Sequence, residues 1–143
     1  MREVVVRLTA VALLISLACS GVGPNQSTIA DLEISNGTTL VITLVVNATP
    51  ITSVGPGAVD KISPSRLPPL PWKVEARATS GRVLASMTVR AGDVVRTTNP
   101  DGSTSWKGDA VRVELSCGRL DVWSGPPLAG PAPGAGSAGD CDP

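Results

Sequence analysis

Histidine is absent from the 143 residues, as are tyrosine and phenylalanine. That gap removes several kinds of active site. A Ser-His-Asp triad has no base. A blue-copper site has no imidazole, and Cys117, Cys141 and Met87 do not make one by themselves. A Ser-Lys pair would have to draw on Lys61, Lys73 or Lys107, and none of these sits in a recognisable motif. Paired carboxylates of the glycosidase kind could be drawn only from Asp31, Glu33, Glu75 and Glu114. Each of these falls on the polar side of an alternating apolar/polar run, where it reads as a solvated surface charge. Asp93 and Asp101 lie in turns without the spaced ligand series of a calcium loop. The expectation is a protein that is not an enzyme and needs no cofactor, with an enzyme using an unrecognised site as the alternative.

Binding is a different matter, because three tryptophans remain. Trp72 shares parity with Val74 and Ala76 and reads as core. Trp106 stands beside a turn with no apolar period around it, which makes it a candidate ligand contact. Trp123 shares parity with Asp121 and not with Leu120 or Val122, so it faces away from the core and is the second candidate. Aromatic rings on the outside of a β-domain can stack on sugar rings, so a carbohydrate-binding module is one reading.

The elements that position these rings are strands. The apolar content is mostly Val, Leu, Ile and Ala, which favours β structure. Residues 29–35 alternate Ala30, Leu32 and Ile34 against Asp31 and Glu33, and Asn36-Gly37 then reads as a hairpin turn. Residues 40–46 (LVITLVV) form the most β-prone run, with Leu40, Ile42, Leu44 and Val46 inward. Asn47-Ala48 is a second turn signal. Residues 63–71 (SPSRLPPLP) hold four prolines and read as an extended crossover. Residues 72–78 alternate Trp72, Val74, Ala76 and Ala78 against Lys73, Glu75 and Arg77. Further strands are expected over 82–90, 94–98, 111–117 and 119–123, separated by Ser80-Gly81, Ala91-Gly92-Asp93 and Asn99-Pro100-Asp101-Gly102. From Ser124 the chain runs SGPPLAGPAPGAGSAGDCDP, a Pro/Gly/Ala tail with no apolar period.

At the other end, Arg2 and Arg7 precede an uncharged stretch, residues 8–18 (LTAVALLISLA), which ends in small residues before Cys19. This is the layout of a secretory signal. Eleven uncharged residues are too few for a spanning helix, which needs about 20. Ile15-Ser16-Leu17-Ala18-Cys19 resembles the lipobox of bacterial lipoproteins. The resemblance implies cleavage before Cys19 and acylation of its thiol, although Ser16 stands where that family usually has leucine. Small residues at Ser16 and Ala18 also suit ordinary signal-peptidase cleavage, which would give a secreted chain. The protein has three cysteines, an odd number for an exported chain. With Cys19 acylated or removed, Cys117 and Cys141 are left to form one disulfide in an oxidising compartment. Trp123 then either packs beneath the loop they close or contacts a partner.

The expected organisation is a signal peptide over 1–18, a tether over 19–28, a domain over 29–124 and a tail over 125–143 tied by the disulfide. Loss of Arg2, Glu3 and Arg7 with the signal leaves 10 basic and 11 acidic residues of the 12 and 12. Such a balance gives no attraction for nucleic acid. The domain is expected to be all-β, an immunoglobulin-like antiparallel β-sandwich of about 7–9 short strands, with a small barrel as the alternative. Its NGTTL–VITLVVN, PLPWKVEAR and SCGRLDVW segments resemble small secreted bacterial β-sandwich proteins of unknown function. The expected role is a lipid-anchored binding or assembly module of the cell envelope, its partners the membrane and an envelope protein or polysaccharide. Donor-strand assembly through an exposed sheet edge is a further alternative.

Overall fold

The computed structural model describes residues 26–131 together with Pro133, Gly134, Gly136 and Cys141. The signal segment and Cys19 lie outside the described residues. The described chain is all-β. Eleven strands form three antiparallel sheets: β1 Gln26–Ile29, β2 Leu32–Asn36, β3 Ile42–Val46, β4 Thr49–Val54, β5 Val59–Ile62, β6 Trp72–Ala78, β7 Val83–Val89, β8 Val95–Thr98, β9 Thr104–Trp106, β10 Asp109–Leu115 and β11 Gly118–Ser124. One four-stranded sheet runs β10-β11-β2-β5 and another runs β4-β3-β6-β7. Their inner faces make a β-sandwich. A small third sheet, β1-β8-β9, is attached to it. No helix among the described residues is long and apolar enough to cross a membrane.

The core follows from strand parity. Leu32 and Ile34 from β2, Leu120 and Val122 from β11, Ile42, Leu44 and Val46 from β3, and Trp72, Val74 and Ala76 from β6 are all buried in one cluster. Trp72 is 1 % exposed, and its indole Nε1 donates to the Pro68 carbonyl at 2.7 Å. A buried indole needs such an acceptor, and the Pro-rich crossover before β6 supplies it. That crossover is less extended than its composition suggests, because Pro64–Arg66 forms one 3-10 turn capped by Ser63.

Eleven strands exceed the expected 7–9 for two reasons. Residues 29–35 do not form one strand. The chain leaves the small sheet at Ile29 and joins the large one at Leu32, so β1 and β2 are separate and the first strand begins at Gln26, inside the expected tether. β9 is only three residues long and all three are surface residues, so it has no alternation to read.

The Asn36-Gly37 hairpin is also absent. β2 pairs with β11 and β5 while β3 pairs with β4 and β6, so the link between β2 and β3 crosses from one sheet to the other. Asn36 is fully buried there. Its Nδ2 donates to the carbonyls of Leu40 at 2.7 Å, Val54 at 3.0 Å and Gly55 at 3.0 Å. Its Oδ1 accepts from Thr38 N at 3.0 Å and Thr38 Oγ1 at 2.6 Å. Asn36 is therefore an inter-sheet tie.

Asn47-Ala48 is the true two-residue hairpin, between β3 and β4, with φ of 49° and 66°. Alanine pays for its Cβ in that left-handed region. Ala48→Gly is therefore expected to stabilise the fold by up to about 1 kcal/mol, less the extra entropy of glycine in the unfolded chain. A raised thermal midpoint checks this; a lowered one would contradict the turn geometry.

Candidate functional site

Of the sequence-predicted site residues, Cys117 and Cys141 come together in a disulfide with a Cα–Cα separation of 5.3 Å. Cys117 occupies the two-residue turn between β10 and β11, two residues beyond the end of the strand in which its parity placed it. Both cysteines are buried, and Arg82 Nη2 donates to the Cys141 carbonyl at 2.9 Å. The tail closes tightly on this turn. Gly118 has φ of 129°, and a Cβ there would lie 2.1 Å from the Gly37 carbonyl oxygen. Gly37 itself faces Pro133, with its added Cβ only 2.5 Å from that ring. The glycine read from sequence as a turn-former thus serves close approach of the tail.

The tail lies over the outer face of β10-β11-β2-β5. On β11 the inward residues Leu120 and Val122 alternate with the outward Arg119, Asp121 and Trp123. Asp121 is only 3 % exposed although it points out of the sandwich. Arg112 Nε donates to its Oδ1 at 2.9 Å, and Arg119 Nε lies 3.3 Å from its Oδ2. Each guanidinium also reaches up to the tail. Arg112 Nη1 donates to the Ala129 carbonyl at 3.2 Å, and Arg119 Nη2 to the Pro131 carbonyl. Between sheet and tail a cavity of about 210 Å³ remains. Its floor is Ser35, Val59, Asp121 and Trp123; Pro127, Leu128 and Pro131 are among its roof residues. Trp123 Nε1 is shielded from solvent and has no hydrogen-bond partner among the described residues.

Trp106 stands elsewhere, on β9 in the small sheet. It is 44 % exposed. Its cross-strand partner Arg96 places its guanidinium 4.9 Å from the ring centroid, a cation-π contact. Beside the ring is an open depression of about 430 Å³ shared with Val95, Thr97, Ser105 and Lys107. The two candidate tryptophans belong to separate surfaces and do not form one site.

Of the charged groups considered for catalysis, Lys61, Asp31, Glu33, Lys73 and Glu75 are engaged in ion pairs. Lys61 Nζ lies 3.0 Å from Asp31 and 3.5 Å from Glu33. Glu75 is held by Lys73 Nζ at 2.8 Å and by Arg77 Nε at 2.9 Å. Those two bonds hold its carboxyl below the ordinary 4.5. Asp60, bonded by Thr52 Oγ1 at 2.6 Å, is likewise held below its usual 3.8. Among the described residues no cluster of three His, Cys, Asp or Glu side chains is placed to hold a metal.

A pH dependence follows from these carboxylates. Their folded-state values are depressed, so the stability they contribute is present above the ordinary carboxylate range and is lost as pH falls below it. The thermal midpoint should stay level from pH 7 to about 5 and fall below about pH 4.5, and Glu75→Gln should flatten that fall. A midpoint that rises on acidification would contradict the pairing.

Sequence parity located Trp123 on the outer face but gave no sign of the Arg112–Asp121–Arg119 group beside it, which cross-strand register assembles. No protein family, curated protein or solved structure matches the chain.

Proposed function

We propose that the chain is an exported, lipid-anchored, non-enzymatic β-sandwich that serves as a binding or assembly module of the cell envelope. The observation that carries this is the division of the cysteines. Cys117 and Cys141 are bonded to each other, which leaves Cys19 as the single cysteine outside the pair. It stands seven residues ahead of the first strand. Seven residues reach at most about 25 Å, so acylation of Cys19 would hold the sandwich close to the bilayer.

Such an anchor would also set which end of the small sheet faces the bilayer. Gln26 opposes Thr98, and Thr98 opposes Thr104, so the β8–β9 turn lies at the end of the small sheet where the chain arrives from Cys19. In bacterial fractionation, wild-type protein should sediment with membranes and Cys19→Ser should become soluble or remain unprocessed. A processed, membrane-bound Cys19→Ser protein would contradict the anchor.

A second reading is carbohydrate binding in the envelope. It is favoured by the 44 % exposure of Trp106 above an open depression that includes Thr97 and Ser105. Binding to a wall polysaccharide that is lost in Trp106→Ala would support it. Absence of binding to any wall polysaccharide would remove it.

A further inference from the structure

We propose that the outer face around Trp123 is a recognition groove for extended, proline-rich segments, and that the chain's own tail fills it in cis. This deepens the binding-module reading by naming a partner class, and it stands apart from the Cys19 anchor. The first support is the hydrogen bonding. A proline-rich segment has few N–H groups to donate and is recognised through its carbonyls and ring faces. The groove offers the matching donors. Arg112 and Arg119, both fixed by Asp121, donate to the carbonyls of Ala129 and Pro131, alternate residues of one segment. The second support is the aromatic floor. Trp123 and Val59 face Pro127, Leu128 and Pro131 across the cavity, and aromatic-lined grooves are the usual docking surface for such segments.

The third support is that the fit is incomplete. About 210 Å³ stays open beneath the tail, and the Trp123 N–H has no partner among the described residues. A buried donor left unpaired disfavours the closed arrangement. A segment that brings a carbonyl over the indole would satisfy it and fill the space. Val59, 61 % exposed at the sheet edge, extends the apolar floor past the tail. What keeps the tail in place is tethering. It leaves β11 at Ser124 and is pinned at Cys141 by the disulfide, so its effective concentration over the groove is on the order of millimolar.

The test uses the full chain with its disulfide intact and a labelled synthetic peptide of residues 125–134, GPPLAGPAPG. A variant carrying Pro127→Ser, Leu128→Ser, Pro131→Ser and Pro133→Ser vacates the groove while retaining the tail. Fluorescence anisotropy should show this variant binding the peptide at least about tenfold more tightly than wild type, since the cis competitor is gone. Adding Trp123→Ala should abolish binding, and so should a peptide with every proline replaced by alanine. Three results would overturn the proposal: a folded vacated variant that does not bind, equal binding by wild type, or equal binding of the proline-free peptide. Should the vacated variant not fold, Trp106→Phe in the native chain leaves Trp123 and the buried Trp72 as reporters. Millimolar peptide should then shift the emission, and an unchanged spectrum would overturn the groove. Failure here with an envelope polysaccharide still bound would leave the broader binding-module reading standing.

Discussion

Asn36→Ala is expected to lower the stability of the fold by about 3–4 kcal/mol, judged from the several buried groups it strands at about 1–3 kcal/mol each. The side chain contributes two donors and an acceptor where the chain first crosses between the large sheets, from β2 to β3. Its removal takes the Nδ2 donor from the carbonyls of Leu40, Val54 and Gly55. It also takes the Oδ1 acceptor from the Thr38 N–H and hydroxyl. Both Asn36 and Thr38 are fully buried, so water does not readily replace these bonds. Urea unfolding with an unchanged slope and a lowered midpoint checks the prediction. A loss below about 1 kcal/mol would mean that the crossover is held by other contacts.

Cys141→Ser is expected to cost about 3 kcal/mol, because the disulfide closes a loop with a sequence separation of 24 and constrains the unfolded chain accordingly. For a domain of this size that corresponds to a thermal midpoint roughly 10–20 °C lower. The same substitution frees the far end of the tail. The carbonyl contacts from Arg112 and Arg119 then rest on local packing, and Trp123 should become more accessible to a collisional quencher. A destabilised protein with unchanged Trp123 quenching would show that the disulfide stabilises the domain without holding the tail over the groove.

The inner faces of the sandwich were legible in the sequence because side chains alternate across a strand. Trp72, Val74, Ala76 and Ala78 were expected inward, and all four are buried. The same rule set Trp123 and Asp121 on the opposite face. What was not legible depends on where the chain goes next. Asn36-Gly37 has hairpin chemistry, but β2 and β3 belong to different sheets, and no local pattern distinguishes a hairpin asparagine from a buried inter-sheet tie. The break at Ala30-Asp31 preserves alternation while transferring the chain from one sheet to another, so 29–35 read as a single strand. The tail was opaque for a related reason. Proline- and glycine-rich composition describes a free segment and a segment laid over a sheet equally well. Only the burial of Cys141 beside Cys117 and the bonds from Arg112 and Arg119 separate the two. The groove likewise depends on Arg112 standing opposite Asp121 across β10 and β11, a register the sequence does not print.

The central claim is that one cysteine anchors the chain while the other two close the fold. Intact mass of the mature protein, extracted from the membrane fraction without reduction, tests it most directly. The account predicts a chain beginning at Cys19, heavier by a lipid-sized increment confined to that residue and lighter by two hydrogens for the Cys117–Cys141 bond. A mature chain beginning beyond Cys19, or one beginning there with a free unmodified thiol, would contradict it.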